Sequence, residues 1–531
     1  MNKYIKLFAG ALAVLSLSAC SADFLETTPT ESAPSKTVFE TTENVAKAVN
    51  GMAYLMARQH SAWSQGYCGE NRIMSIYGEY PSQEFRYNYF SPGWAPIMNQ
   101  TYLKMTATAY TNYPWAYYYE IIGNANSIIA NVDEAEGSEA EKQFYKAQAL
   151  TFRAYCYEKL LQLYAVRWQD SNNGASNGVV LRLDESTGSM PVSSVADCYA
   201  QIYKDLDTAI DLYTQSGMKR SASKVWLPDA NVAYAIYARA ALAKQDYSTA
   251  LSMAQKAENG YGLMTPDEYG AGFCKPNQEW IFGSYGDATE NQWYWTFGTQ
   301  FACNGYYAKT QKYGAGDIEK ELTDRMPVND VRMKRFLTID KFDGLDLYDG
   351  KNMNLTFGYM ATEAAQKKAQ EYVASVTPAG LEEAYQSGYY YLGAQLKFYV
   401  FDMPGVSYLP FIRSSEMVLI EAEASYFLKD EPAAQAALVR LNATSQRNPS
   451  YTCDKTGDAL FQEIVDYREL ELWGEGFNWF DIKRWKRDIV RKSFEQGGNC
   501  HLATATTIKA TDSDWTWAIP ETETDYNTDI K

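Results

Sequence analysis

Histidine is nearly absent from this chain: the 531 residues include only His60 and His501. A zinc site of the HExxH type needs two histidines on one face of a helix, and no such pair exists here. A histidine-rich metal site is excluded for the same reason. We therefore predict no cofactor and assign no metal site, and a bound calcium, which takes oxygen ligands, stays open.

Closely spaced cysteines are also lacking. The chain has eight cysteines, and no two of the seven that follow Cys20 lie within twenty positions of each other. A CxxC pair for metal binding or redox chemistry is therefore excluded. An exported protein can form disulfides, but the spacing of these cysteines assigns no pairing.

Basic residues are outnumbered by acidic ones. Lysine and arginine total 48 and aspartate and glutamate total 65, which gives a formal net charge of -17. A surface of this sign repels a phosphate backbone, so we predict no nucleic-acid partner. Neutral and cationic ligands remain compatible with the charge.

The longest apolar run lies at the N-terminus. Lys3 and Lys6 are followed by a stretch of apolar or small residues from Leu7 to Ala19. Thirteen residues form only ~20 Å of helix, which is too short to cross ~30 Å of hydrocarbon. We predict that residues 1–19 are a secretory signal peptide.

The signal ends in Leu17-Ser18-Ala19-Cys20, which resembles a bacterial lipobox. Small residues suit the signal peptidase, and the cysteine thiol accepts a diacylglycerol. Several acyl chains give a firm membrane anchor, whereas one chain gives only reversible binding. We predict that Cys20 is lipidated and that residues 20–45, rich in Ser, Thr, Pro and Glu, form a lipidated tether.

Apolar residues at intervals of three and four predict a mainly α-helical fold for the rest of the chain. Residues 147–164 carry two apolar stripes, which indicates a helix that is buried on two sides. Residues 194–214 repeat the spacing. We assign residues 46–531 to a single helical domain.

Two helix pairs resemble tetratricopeptide units, in which small residues let neighbouring helices approach closely. The first pair spans 231–244 and 247–258, and the second spans 414–428 and 432–442. Between the pairs, at about 260–410, the periodic runs are short and Gly, Asn, Tyr and Trp are frequent. We predict a loop-rich insertion there, and long loops are usually functional.

Aromatic residues are concentrated in two stretches. Residues 77–119 hold 14 and residues 280–313 hold 11 of the 78 aromatics in the chain. At the chain average of 15%, those 77 positions would carry about 11 aromatics, and they carry 25. Many of the extra rings lie in polar segments without helical period.

We interpret this excess as a sugar-binding platform. Trp and Tyr rings stack on the apolar faces of pyranoses, and amide side chains bond the hydroxyls. The alternative interpretation is that the rings pack long loops against the scaffold. The residues that we predict to bind ligand lie in or next to these stretches: Asn291, Trp293, Tyr294, Trp295, Asn304, Tyr306, Tyr307, Trp94 and Tyr77.

Several segments carry a family resemblance. They are DFLETTP at 23–29, WAYYYEIIGNAN with Trp115, Tyr119 and Asn126, the helix at 146–165, and AIP at 518–520 with Asn527. The most specific segment is ELWGEG at 471–476 followed by WFDIKRW at 479–485. Together they resemble the SusD/RagB family of outer-membrane nutrient-binding lipoproteins over nearly the whole mature chain. Departures occur at Phe477 and Asn478, where the family often has His and Arg.

The resemblance implies a fold and a function. The implied fold is a SusD-like scaffold of four tetratricopeptide-like helix pairs with long irregular ligand-binding loops. The implied function is capture of oligosaccharides for a SusC-like TonB-dependent outer-membrane transporter, which the protein covers as a lid. The implied location is the outer membrane, lipid-anchored and facing the cell exterior. No ligand-binding residue carries over by motif.

Two other functions compete with glycan capture. Peptide capture on the same architecture would depend more on backbone hydrogen bonds and less on stacking. A glycoside hydrolase needs only two carboxylates, but nothing in the sequence singles out such a pair. We therefore predict a non-enzymatic protein with no catalytic residue.

Glu475, Asp481 and Arg484 are predicted to be structural. Their charges fall in an aromatic-rich helical segment, where an unpaired charge is costly. We expect these side chains to tie the last long helix to the scaffold and not to contact ligand.

Overall fold

The computed structural model describes residues 38–87, 94–286, 295–310, 316–345, 347, 353–354, 358–359, 361–384, 390–512 and 515–530. The predicted signal peptide, Cys20 and most of the predicted tether lie outside these ranges. Within them, no helix is both long enough and apolar enough to cross a membrane.

The long helices establish a mainly α-helical fold. They are α1 (Thr42–Leu55), α2 (Ala109–Asn131), α3 (Glu139–Tyr164), α4 (Val195–Ser216), α5 (Ala230–Ala243), α6 (Tyr247–Ala257), α7 (Glu363–Val376), α8 (Ser414–Phe427), α9 (Glu431–Val439), α10 (Gly457–Leu472) and α11 (Asn478–Trp485). Shorter helical turns are Glu70–Arg72, the π-helix Ile73–Glu79, Ala95–Met98, Thr101–Lys104, Val132–Glu134, Trp168–Asp170, Pro266–Tyr269, Phe297–Gln300, Tyr306–Thr310, Lys320–Thr323, Val331–Arg335, Ile339–Phe342, Arg440–Thr444, Phe494–Gln496, Leu502–Thr504 and Glu521–Thr524.

The strands are short and form antiparallel pairs. β1 (Phe85–Arg86) pairs with β3 (Asp317–Ile318), β2 (Trp280–Gly283) with β6 (Pro410–Arg413), β4 (Met353–Asn354) with β5 (Gly358–Tyr359), and β7 (Ile489–Val490) with β8 (Thr507–Ile508). β2 and β6 lie near the two ends of the predicted insertion, and Trp280 stands opposite Arg413. This strand pair therefore holds the two ends of the insertion together.

The helices predicted from apolar spacing are present, with ends that differ by a few residues. α3 extends the predicted 147–164 segment back to Glu139, because Ser138 and Glu141 form a reciprocal capping box. α4 starts after the Ser194 cap and stops where Gly217 adopts a left-handed conformation. Side chains on nearly every side of α3 are buried, as its two apolar stripes predict.

The two predicted helix pairs are α5 with α6 and α8 with α9. Ala235, Ala238 and Ala241 of α5 and Ala250 and Ala254 of α6 are fully buried. Small side chains at these positions let the two helices lie close together. α6 also packs on α8, and α3 packs on both α2 and α4, so neighbouring pairs share one continuous core.

Two predicted boundaries are corrected by the structure. α1 begins at Thr42, inside the predicted tether, because the Thr41 side chain accepts a hydrogen bond from Asn44 N and caps the helix. The predicted insertion is more than loop, since it contains α7 and its own hydrophobic cluster. The buried members of that cluster are Cys303, Ala308, Leu337, Phe342, Leu347, Ala361, Ala365, Ala369, Val373, Ala384, Tyr390, Tyr391, Leu392, Ala394, Leu396 and Tyr399.

A buried charge cluster joins the insertion, β6 and the end of α10. It contains four bases and four acids, all buried: Arg332, Lys397, Arg413, Arg447, Glu279, Asp330, Glu471 and Glu475. Glu475 accepts from Lys397 Nζ at 2.7 Å and from Arg413 Nη2 at 2.6 Å. Burial alone would raise the pKa of Glu471, but the neighbouring arginines outweigh burial and hold that pKa well below its usual range. The balance of charges lets this cluster exist inside the protein.

Asp481 of α11 forms two ion pairs, one with Arg468 of α10 and one with Arg484 of its own helix. Arg468 Nε donates to one carboxylate oxygen at 2.6 Å, and Arg484 Nε donates to the other at 2.8 Å. Arg484 also donates from Nη2 to Glu423 of α8 at 2.6 Å. These contacts, with those of Glu475, confirm that the three predicted residues tie the C-terminal motif to the scaffold.

A second acidic group lies where the π-helix Ile73–Glu79 meets the C-terminal motif. Gly476 N donates to Glu79 Oε1 at 2.6 Å, and Asn478 Nδ2 donates to Glu469 Oε1 at 3.3 Å. Burial raises the pKa of Glu79 to about 7 and the pKa of Glu469 to about 8. It also raises the pKa of Glu84 well above its ordinary value. These carboxyls therefore favour the protonated form inside the fold.

The C-terminal segment returns to the first long helices. Trp517 N donates to Leu163 O at 2.9 Å, and Ala518 N donates to Leu103 O at 2.7 Å. Asn527 Nδ2 donates to Met190 O at 2.9 Å. Residues 515–530 thereby cover the ends of α2 and α3.

Candidate ligand-binding face

Three of the predicted ligand residues lie outside the described ranges. They are Asn291, Trp293 and Tyr294, whose role stays a prediction. The chain enters this segment after Gly286 and leaves it at Trp295. If this segment contacts ligand, the described residues on both sides of it border the same ligand face.

Three other predicted residues pack the interior. Tyr77 is fully buried and its hydroxyl donates to Tyr110 O at 2.7 Å. Trp94 is 8% exposed and packs edge-on against Tyr80. Asn304 is buried and exchanges two hydrogen bonds with the backbone of Val400, at 3.0 and 2.7 Å. The prediction that these side chains contact ligand is corrected, because their surfaces and polar groups are already used inside the fold.

Trp295, Tyr306 and Tyr307 are half-buried and lie together. The rings of Trp295 and Tyr307 are stacked, with centroids 4.2 Å apart and planes at 24°. Tyr306 stands edge-on to Tyr307 at 5.5 Å. Offset stacking of this kind stabilises a pair of rings by about 0.5–1.5 kcal/mol beyond burial. The three residues form a rigid, partly exposed aromatic group.

Trp295 has an unusual backbone conformation. Its φ is 72°, which is the left-handed region that a bulky residue rarely adopts. A side chain at Gly66 would not fit, because its Cβ would lie 2.7 Å from Trp295 Cβ. Strained residues of this type persist only where the surroundings hold them, and they cluster at functional sites.

The loop 58–67 supplies the second half of the face. Trp63 and Tyr67 lie in it with ring centroids 5.4 Å apart, and both pack against Tyr113 of α2. Trp63 is half-buried, so part of its ring remains accessible. We define the aromatic face as Trp63, supported from the interior by Tyr67, which is 6% exposed, together with Trp295, Tyr306 and Tyr307. Composition pointed to the last three but missed the first two, which stand in a short loop outside both aromatic-rich stretches.

The loop is held in place by its own polar side chains. Gln59 accepts from Gly66 N at 2.7 Å and donates to His60 O and Ser64 O, each at 3.0 Å. His60 Nε2 lies 3.1 Å from Leu55 O, and His60 Nδ1 lies 3.3 Å from Glu120. The hydrogen bond from His60 holds the pKa of Glu120 below its usual range.

Arg72 places a positive charge beside the aromatic face. Its guanidinium lies 4.5 Å from the ring centroid of Tyr67, 5.3 Å from Tyr110 and 5.6 Å from Trp94. Among the described residues it forms no ion pair, and its Nε has no hydrogen-bond partner. Cation–π contacts with three rings offset part of the cost of burying this charge.

A further aromatic patch flanks the undescribed segment on its N-terminal side. Tyr285 packs edge-on against Trp226 at 4.8 Å and against Tyr54 at 6.3 Å. Arg58 lies 5.2 Å from the Tyr54 ring centroid. All four residues are half-buried. Sequence reasoning missed this patch, because its members come from three separate segments and show no common motif.

The described residues contain no group of three or more His, Cys, Asp and Glu that could hold a metal ion. The seven cysteines after Cys20 are free, six of them buried and Cys453 half-buried.

Residues 174–178 read Gly-Ala-Ser-Asn-Gly, the spacing of a hydrolase nucleophile elbow. That elbow joins a strand to a helix, whereas Ser176 lies in a loop in which Asn177 bridges to Ser194.

The sequence matches two family descriptions. Residues 23–242 match "Starch-binding associating with outer membrane", and residues 235–530 match the SusD family. The chain belongs to the SusD family. No curated protein matches the sequence.

Solved structures of SusD proteins share the fold. A SusD-like carbohydrate binding protein from Bacteroides vulgatus is 22% identical, with a TM-score of 0.71, and the match covers 93% of this chain and 98% of that one. A SusD superfamily protein from Bacteroides thetaiotaomicron is 21% identical, with a TM-score of 0.69 over 92% and 99%. One from Bacteroides fragilis is 17% identical, with a TM-score of 0.67 over 93% and 100%. These likenesses establish that this SusD-family chain has the SusD fold.

Proposed function

We propose that this SusD-family protein is a non-enzymatic binder that captures oligosaccharides at the aromatic face. The observation that carries the proposal is the stacked pair Trp295–Tyr307, half-buried and fixed by the close approach of Gly66. Rings held in one orientation lose little entropy when a sugar stacks on them. The SusD-like relative from Bacteroides vulgatus, described as carbohydrate binding, supports the same ligand class.

The composition of the face supports binding without catalysis. Residues 58–67 and 295–307 contain no aspartate or glutamate. A glycoside hydrolase of the usual kind needs two carboxyl groups flanking the scissile bond. The loops that carry the aromatic face supply neither of them.

The location and partner are part of the proposal. Cys20 would carry the lipid anchor in the outer membrane, with the aromatic face toward the cell exterior. The captured oligosaccharide would pass to a SusC-like TonB-dependent transporter. The lipobox at 17–20 and the family description "Starch-binding associating with outer membrane" support this placement. Co-purification of a β-barrel transporter from native membranes would test the partner.

The ligand class is tested by calorimetric titration of the mature protein with a panel of neutral oligosaccharides and a peptide pool. We expect saturable binding of at least one oligosaccharide and none of the peptides. Trp295→Ala should weaken this binding. Trp168→Ala is the matched control, because Trp168 is a half-buried tryptophan outside the aromatic face. Binding of peptides alone would replace the proposal with peptide capture, and release of shorter sugars during incubation would replace it with hydrolysis.

Lipidation is tested on the membrane fraction by mass spectrometry. We expect an acylated N-terminal peptide that begins at Cys20, because Leu17-Ser18-Ala19-Cys20 has the lipobox pattern. Cys20→Ser should move the protein to the soluble fraction. An unmodified Cys20 in a soluble mature protein would show that the anchor is absent.

A further inference from the structure

A cavity of about 60 Å³ lies between α3, α5, α8, α10 and α11. It shares no lining residue with the aromatic face. A buried water needs about 10–15 Å³ of such space, so this scaffold cavity has room for roughly four waters or one small polyatomic ion. The chemistry of its lining decides between these contents.

Lys159 of α3 lines the scaffold cavity without a polar partner. The residue is 7% exposed, and within the described part of the chain its ammonium forms no hydrogen bond and no ion pair. The ammonium lies 5.2 Å from the ring centroid of Phe480 and 5.7 Å from that of Tyr155. Ring contacts offset only part of the cost of a buried charge. Burial accordingly lowers the pKa of Lys159.

Arg468 of α10 brings a second unused donor to the same cavity. The residue is 3% exposed, and its Nε is bonded to Asp481 at 2.6 Å. Its Nη1 is buried and has no hydrogen-bond partner among the described residues. The guanidinium faces the ring of Phe477 at 5.6 Å. Two cationic side chains therefore present unsatisfied N–H groups within one lining.

The other charges around the scaffold cavity are already engaged. Arg239 is bonded to both oxygens of Glu416 at 2.6 and 2.7 Å, and Lys483 Nζ donates to two backbone carbonyls at 2.6 Å. Two buried acids, Glu158 and Glu70, lie near Lys159 but do not line the cavity. Burial raises the pKa of both acids, which weakens their compensation of the lysine charge.

We propose that the scaffold cavity is a binding site for one small oxyanion of carboxylate or phosphate size, bound by Lys159 Nζ and Arg468 Nη1. A negative ion here supplies the charge and the acceptors that the lining lacks. It would bridge α3 to the α10–α11 motif and so stabilise the scaffold. The site does not depend on the ligand class that the aromatic face recognises.

The test is thermal unfolding of the mature protein in sodium acetate, sodium phosphate and sodium chloride at matched ionic strength. We expect acetate or phosphate to raise the Tm in a saturable way that chloride does not reproduce. Lys159→Met keeps the length of the side chain and should abolish that rise. Lys204→Met is the matched control, because Lys204 is an exposed lysine on the neighbouring helix α4, and it should keep the rise.

An equal rise in chloride, or an unchanged rise in Lys159→Met, would overturn the proposal. If Lys159→Met does not fold, the unsubstituted protein still provides a test. Crystals soaked in sodium selenate should show anomalous density in the scaffold cavity within hydrogen-bond distance of Lys159 and Arg468. A cavity that contains only water in those crystals would equally overturn the assignment.

Discussion

Residues 77–119 and residues 295–307 are both rich in Tyr and Trp, but they differ in how deeply their described tyrosine and tryptophan rings are buried. In the first stretch most of the described rings are buried, and the hydroxyl of Tyr117 is used inside, where it donates to Glu70 at 3.2 Å. In the second stretch Trp295, Tyr306 and Tyr307 remain half-buried. Tyr and Trp side chains have an apolar ring and a polar group, so their role depends on whether the fold or the solvent surrounds them. The interior should therefore determine stability and the aromatic face should determine affinity.

The largest expected effect lies in the interior, at Asp481. Asp481→Ala leaves the buried Arg468 without its ion-pair partner, whereas Arg484 keeps Glu423. Removing one partner of a buried pair costs about 3–5 kcal/mol. A denaturant titration should show this loss, and the folded fraction should bind oligosaccharide with unchanged affinity. Asp488→Ala is the control, because Asp488 is exposed and should change the midpoint little. Lost affinity at unchanged stability would place the motif on the ligand face.

The interior should also respond to pH. Glu79 has a pKa of about 7 in the folded state, above its ordinary value, so the folded protein holds a proton that the unfolded chain has released. The free energy of unfolding should therefore fall as pH rises from ~5 to ~8, by on the order of 3 kcal/mol for this group.

Glu79→Gln should reduce this slope, because the amide does not titrate, and the raised pKa values of Glu84 and Glu469 should maintain the remainder. Glu185→Gln, at an exposed position, should leave the slope as it is. Melts across this pH range provide the measurement, and an unchanged slope in Glu79→Gln would assign the whole pH response to other groups.

The sharpest change in affinity is expected at Trp295. Trp295→Ala removes the stacked pair with Tyr307, and the loss of one ring contact of about 1.4 kcal/mol weakens binding roughly tenfold. Stability should change little, because the ring is only half-buried and its removal exposes little core. The backbone strain at φ 72° is the same for alanine, so it does not change the comparison. Calorimetry with the bound oligosaccharide and a parallel melt measure both quantities. Trp168→Ala should leave affinity intact, and unfolding of Trp295→Ala would show that this ring packs the loop.

The smallest effects are expected when one tyrosine hydroxyl is removed in each region. Tyr77→Phe removes a buried hydrogen bond to Tyr110 O and should cost about 1 kcal/mol of stability without changing affinity. Tyr307→Phe keeps the stacked ring and should change affinity by less than about threefold, with stability unchanged. Differential scanning calorimetry and titration distinguish the two outcomes. Equal effects on stability would mean that the two regions do not differ as described.

The helical scaffold was predictable because each helix carries its own signal. Apolar residues at intervals of three and four mark α3 to α6 and α8 directly, and caps such as Ser138 explain where they begin. The helix α7 escaped prediction although Ala365, Ala369 and Val373 are spaced by four. They are small, they stand among charged residues, and their partners are distant in the sequence.

The ligand face was predictable only in part. An excess of aromatics has two physical causes, packing and recognition, and composition does not separate them. Tyr77 and Trp94 illustrate packing, since each makes an interior contact. The amide of Asn304 is likewise used inside the fold. The pairing of Gly66 with Trp295 illustrates what sequence reasoning misses, because it joins two segments far apart in the chain. Such contacts exist only once the scaffold has brought the segments together.

The return of residues 515–530 to the first long helices has a consequence for how the protein is made. A chain emerging from the ribosome exposes the ends of α2 and α3 long before Trp517 and Ala518 exist to cover them. Contacts of such sequence separation slow folding, and exposed apolar surface invites aggregation meanwhile. We therefore expect the scaffold to complete its folding only after residues 515–530 are available to close it.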